Sequence, residues 1–314
     1  MLDSLCLSLQ VVVPLVLFMG LGGIIRQRKW VSPVSIREMN GVVYKVLLST
    51  LIFYNIYQSD MAENFDLGLL IYAVVSILVT FGFLCLLIGK WIKDTTIAPV
   101  VIQGIYRSNF VLFGLQVTAS ICGSDQLGMT TVLISVIIPL FNVLSVVLFE
   151  SYRRKSIDFK NLFHGFLINP LIIASVLGLL SVFSGIQFGS VIEDVLKSIS
   201  QMATPMSLIL LGGTITLDGV KKYWRYTLVC VMGRLLVIPA IFLTIAAALG
   251  YRGAGLVGLM VMFGSPTSVS SFPMAVQMGG NGELAGQIVA VTTVFSTVSI
   301  FFWTYVLSVG GFIP

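Results

Sequence analysis

Two polar stretches break an otherwise apolar chain and could do chemistry. One is Arg107-Ser108-Asn109; the other is Gly264-Ser265-Pro266-Thr267-Ser268, with Ser270 and Ser271 just beyond. An arginine offers five N–H donors in a planar fork that meets a carboxylate at two points. An asparagine adds an amide donor and serines add hydroxyls. Such a set recognises an anion; it does not attack one. Other chemistries find little support. His164 is the single histidine, the four cysteines (Cys6, Cys85, Cys122, Cys230) form no C-x-x-C pair, and no G-x-S-x-G motif is present. No enzyme, cofactor or metal site is expected.

The elements that carry these residues must lie in lipid. Of the 314 residues 57% are hydrophobic and 10% charged, with a mean hydropathy of +1.02. Soluble domains carry roughly 25% charged residues. Asp3 and a long apolar run at the start do not read as a signal peptide. A membrane span needs about 20 mostly apolar residues, and that rule marks ten segments: 4–25, 36–57, 67–91, 98–122, 127–149, 163–183, 191–217, 223–249, 253–278 and 283–309. The second is expected to open on a capping box at Ser35-Ile36-Arg37-Glu38 behind Pro33. The fourth and ninth hold the two polar stretches and are expected to be broken, which a bilayer tolerates only where protein or a cavity satisfies the freed backbone.

Charge sets the orientation. Arg26, Arg28, Lys29, Lys90, Lys93, Arg153, Arg154, Lys155, Lys160, Lys221, Lys222 and Arg225 fall in alternate loops, whereas Asp60, Glu63, Asp66 and Asp125 mark the other side. By the positive-inside rule both termini lie outside. The rule also accounts for the net charge of +5 without nucleic acid. The chain repeats itself at a spacing of 156 residues: Pro14-Leu15 recurs as Pro170-Leu171, Leu21-Gly22 as Leu177-Gly178, and Ala119 and Gly123 as Ala275 and Gly279. Five spans per half require opposite orientations, with 1–156 as the first repeat and 157–314 as its inverted mate. Inverted repeats with a broken helix in each half are a transporter signature, with substrate held near the midplane. Half-helix N-termini there favour an anion, a carboxylate in the simplest case.

The residues Tyr106-Arg107-Ser108-Asn109-Phe110-x-x-x-Gly114 resemble a motif of the auxin efflux carrier family, which includes plant PIN auxin carriers and bacterial malate-type permeases. Leu167-Ile168-Asn169-Pro170, Ala203-Thr204-Pro205-Met206-Ser207-Leu208 with Gly212, Arg234 with Pro239, and Gly264-Ser265-Pro266-Thr267 leading to Gly279-Gly280 are similar to it as well. The resemblance spans essentially the whole chain, and the bacterial malate-permease-like members are the expected kin. It implies an all-α fold of ten helices shared with bile-acid symporters. A scaffold from 1–60 and 161–217 would dimerise, and a transport domain from 67–150 and 223–310 would slide as an elevator. It also implies that Asn109 contacts a substrate carboxylate opposite Pro266, Thr267 and Ser268. This chain departs from the family where Gln116 and Ser49 stand in place of prolines, and from its plant members where Ser108 does, while Pro205 is retained.

Each candidate has a second reading. Arg107 lies about mid-span, where a charge costs at least ~2.5 kcal/mol; it is either a substrate contact or a structural arginine holding carbonyls freed by the break. Arg234 is expected to pack against carbonyls. Asn109 could cap the following half-helix, bind ligand, or both. Ser265, Thr267, Ser268, Ser270 and Ser271 form a group whose single members could simply bond the preceding turn. Gln116 lines the cavity or faces a neighbouring helix. Lys45, like Ser49 and Pro205, sits where a gate or a dimer interface would be. The expected function is secondary transport of a small carboxylate by a homodimer in the bacterial inner membrane; the alternative is a non-transporting sensor using the same pocket.

Overall fold

The computed structural model describes residues 2–58, 66–153 and 168–314. Asp60, Glu63, Arg154, Lys155, Lys160, His164, Leu167 and the first residues of the sixth expected span lie outside the described residues. The described residues are helical throughout, apart from short connections and one isolated backbone bridge.

In chain order the helices are α1 (Leu2–Gln27), α2 (Pro33–Val42), α3 (Leu48–Tyr57), α4 (Leu67–Trp91), α5 (Ala98–Tyr106), α6 (Phe110–Cys122), α7 (Gly128–Arg153), α8 (Pro170–Phe183), α9 (Ser190–Thr214), α10 (Leu217–Met232), α11 (Ile238–Ala248), α12 (Gly253–Gly264), α13 (Ser271–Gln277) and α14 (Gly282–Val309). Single π-turns, Val43–Leu47 and Gly233–Val237, join α2 to α3 and α10 to α11. Among the described residues six segments are long and apolar enough to cross a membrane, and Phe110–Cys122, Pro170–Phe183 and Gly253–Gly264 are shorter apolar helices.

Helix starts follow their capping residues. Asp66, Asn169, Thr216 and Asn281 each accept an amide hydrogen bond from the first turn of α4, α8, α10 and α14. The expected box at Ser35 is not the start of α2. Ser32 is the N-cap, accepting from Ser35 N at 3.0 Å, and Pro33 takes the first helical position. Proline fits there because it lacks an N–H that would have no partner anyway.

Outward-facing Leu17, Phe83, Leu86, Phe183 and Val191 are heavily exposed, as a lipid-facing surface requires. By contrast every residue of α5 is buried, as is α12 from Leu256 to Gly264. The two interrupted segments therefore form the centre of the molecule.

Around that centre α1 packs along α9, and α3 along α8. The first pair meets backbone to backbone. A Cβ on Gly22 would collide with the Ile209 carbonyl, and one on Gly212 with the Met19 carbonyl. Small residues at membrane-helix crossings allow this approach. Arg26 completes the contact, donating from Nη1 to the Gly213 carbonyl at 2.8 Å at the end of α9.

Candidate functional site

Both polar stretches are true helix breaks. The α5 helix stops at Tyr106 and α6 begins at Phe110; α12 stops at Gly264 and α13 begins at Ser271. The breaks pair with each other. Asn109 N donates to the Pro266 carbonyl at 2.8 Å and Ser268 N to the Arg107 carbonyl at 3.2 Å, an antiparallel bridge between Ser108 and Thr267. Thr267 Oγ1 donates to the Gly104 carbonyl at 2.6 Å, and Ser265 Oγ to the Val261 carbonyl at 2.5 Å. Ser265, Pro266 and Thr267 thus build the crossing itself.

Two helices ending side by side leave carbonyls without partners. Arg234, 1% exposed and seated in the second π-turn, supplies the donors. Its Nε donates to the Ser265 carbonyl at 2.8 Å, Nη1 to those of Ile105 and Tyr106 at 3.2 and 3.1 Å, and Nη2 to that of Met262 at 2.5 Å. A helix C-terminus carries roughly −0.5 charge. Two of them approximately balance one guanidinium, so Arg234 holds the crossing together and is neutralised by doing so.

Arg107 has different surroundings. It is 4% exposed, and its guanidinium donates to side chains only. Nη1 reaches Ser145 Oγ at 3.1 Å and Met274 Sδ at 3.0 Å; Nη2 reaches Asn142 Oδ1 at 2.6 Å and Ser270 Oγ at 2.8 Å. All four acceptors are neutral. The ion pair found among the described residues, Arg153 with Glu150, does not involve it. The role of holding freed carbonyls belongs to Arg234, and Arg107 is left as a buried cation without a carboxylate partner among the described residues.

The groups beside Arg107 point the same way. Asn109 stands at the N-cap position of α6, yet its side chain makes no capping bond and Nδ2 is buried without a partner. Asn142 Nδ2 and Ser108 Oγ are likewise buried and unpartnered. Buried polar atoms are almost always satisfied, so a cluster dominated by donors marks a place for an acceptor. The uncapped first turn of α6 adds its own N–H groups and a partial positive charge.

A cavity of about 70 Å³ lies against this cluster. Arg107, Ser108, Asn109, Ser268 and Ser270 line it from the crossing, and Asn142 from α7. Leu48, Asn55, Thr204 and Ser207 close it from α3 and α9. Pro205 sits between the last two. Lys45 and Ser49 do not reach this cavity; Lys45 is exposed, and both line an outward recess of about 350 Å³ beside Pro170. Gln116 is exposed on α6 and lies outside the cavity lining. A larger cavity, about 570 Å³, shares no lining residue with the one at the crossing and lies on the outer face of α10 and α14.

Sequence reading missed Asn142 and Ser145. They sit three residues apart on α7, hence on one face of the helix, and a polar pair at that spacing in a strongly apolar segment was the available signal.

A family model described as membrane transport protein matches residues 7–304. No curated protein matches the chain.

Proposed function

The chain belongs to the membrane transport protein family, and from that premise we propose that it is a secondary transporter carrying a small organic anion, a carboxylate, by elevator-type alternating access. The observation that carries this reading is Arg107, a buried guanidinium with only neutral partners, next to the unpartnered amide donors of Asn109 and Asn142. A buried unpaired charge is unfavourable by several kcal/mol. An arriving carboxylate supplies the missing countercharge and about four lone-pair sites for the waiting donors.

Size supports a moving wall. A cavity of about 70 Å³ accepts a carboxylate group but not a whole dicarboxylate. The side made by α3 and α9 must part from the crossing to admit one. One bond that such a movement breaks is Asn40 Nδ2 to the Pro273 carbonyl at 3.1 Å, between α2 and α13.

The same reading takes the molecule as two inverted five-helix repeats. Antiparallel pairing of the two breaks has a local two-fold axis, as that symmetry requires. It takes α1–α3, α8 and α9 as a dimerising scaffold, with Lys45 and Ser49 at its outward face, and the remaining helices as the sliding part. With basic loops in the cytoplasm, both termini face outward from a bacterial inner membrane.

Proteoliposome uptake with a panel of radiolabelled mono- and dicarboxylates tests the proposal. Saturable uptake of at least one, lost in Arg107→Ala, supports it. Saturable binding without flux would replace it with the sensor reading.

A further inference from the structure

The groove of about 570 Å³ between α10 and α14 is walled by Leu228, Leu235, Val291, Phe295, Val298 and Phe302. An apolar wall facing a bilayer needs only ordinary lipid against it. Its polar residues need more. Thr227 and Gln287 both line the groove and are 4% and 3% exposed, yet Thr227 Oγ1 and Gln287 Oε1 have no hydrogen-bond partner. The Gln287 amide nitrogen is engaged with the Val220 carbonyl at 3.4 Å, and its oxygen is buried without a partner. Unmet polar groups are strongly disfavoured where water is scarce.

One turn toward the start of α10, Trp224 lines the end of the groove, and the exposed Arg225 guanidinium lies 5.5 Å from its ring centroid. Lys221 and Lys222 are exposed just before it. Gln287 reaches back to Val220, so the cations and the amide share one end of the groove; the Thr227 hydroxyl comes next along α10 and the apolar wall follows. The apolar part of the wall runs from Val291 to Phe302, and at 1.5 Å per residue that is about 16 Å. The hydrocarbon of one leaflet is about 15 Å deep. A phospholipid presents phosphate, glycerol ester and acyl chain in that same order over that length.

We propose that this groove is a binding site for one anionic phospholipid. Its phosphate lies on Arg225, its ester carbonyl accepts from the Thr227 hydroxyl, a glycerol hydroxyl donates to Gln287 Oε1, and an acyl chain fills the apolar wall. Surrounding bulk lipid has no use for the buried polar pair; a resident lipid satisfies it.

Native mass spectrometry of the full chain, titrated with dioleoyl phosphatidylglycerol or dioleoyl phosphatidylcholine, tests this. One phosphatidylglycerol per chain is expected, with about a fivefold preference from each basic side chain engaged. Arg225→Gln lowers that preference by about fivefold. Val291→Trp, which fills the groove, abolishes retention of both lipids, whereas Val294→Trp, exposed on α14 outside the groove lining, leaves it intact. Thr227→Val weakens lipid retention while raising the melting temperature of the lipid-free protein, because an unmet hydroxyl is removed. Equal retention of the two lipids overturns the proposal. So does retention that survives Val291→Trp, or cross-linking of two copies through Val291→Cys, which would make the groove a subunit contact.

Discussion

Arg107 donates through Nη2 to Asn142 Oδ1 at 2.6 Å, joining the broken α5–α6 segment to the centre of α7. The bond fixes one edge of the guanidinium, and it turns Asn142 so that Nδ2 is left buried and unpartnered. A cation and a donor are thereby held together before any anion arrives, and orientation settled in advance is what raises affinity.

Removing the cation removes the basis of recognition. Arg107→Ala is expected to weaken carboxylate binding roughly 30-fold or more, the range for deleting one partner of a desolvated charge pair. Arg107→Lys keeps the charge but cannot reach Ser145, Asn142 and Ser270 together, so it falls between the two. Equilibrium binding to purified protein separates the three.

Arg234→Met has a different signature. It leaves four buried carbonyls unbonded and two helix ends uncompensated. A stability loss on the order of 3 kcal/mol or more is expected in equilibrium unfolding from mixed micelles. Variants of Arg107 lower affinity first; variants of Arg234 lower stability first.

The α1–α9 crossing depends on two glycines. Gly22→Val or Gly212→Val forces the backbones apart and is expected to destabilise by about 1–3 kcal/mol. At Gly20 a Cβ meets nothing within 4 Å. Gly20→Ala therefore does not destabilise, since it removes a helix-interior glycine without a clash, and thermal unfolding of the three variants side by side provides the comparison.

The connection before α5 is pH-sensitive in one direction. Hydrogen bonds from the Thr96 hydroxyl and amide hold the Asp94 carboxyl below its ordinary range. A depressed carboxylate stabilises above its unfolded pKa, near 3.9, and that contribution is lost as pH falls through the lower folded value. The protection of the Thr96 and Ile97 amides, taken as exchange relative to the unfolded chain at the same pH, should fall on acidification below about pH 4, and Asp94→Asn should remove that fall.

The sequence made the interruptions legible because each joins residues that do not belong mid-span: a charge in one, Gly-Ser-Pro in the other. Arg234 could be expected to meet carbonyls, but which ones, and whether Arg107 shared that task, was not legible. Arg234 meets Ile105 and Tyr106 across 129 and 128 positions of chain, and local pattern carries nothing over such a distance. Asn142 and Ser145 were hidden for the same reason. Gln116 stood one turn from the core residue Phe113, but helices apolar on every side have no hydrophobic face to orient them, so its exposure could not be read. At α2 both Ser32 and Ser35 suit a cap, and Pro33 decided between them by fitting only the first helical position.

The central claim is that Arg107 is held ready for an anion at the crossing. Its most direct test is calorimetric titration of a carboxylate panel into the purified full chain and into Arg107→Ala and Asn109→Leu. The account predicts saturable one-site binding of at least one small carboxylate, weakened roughly 30-fold or more in Arg107→Ala and by a smaller factor in Asn109→Leu, with both variants folded. Carboxylate binding of equal strength in all three proteins would contradict it.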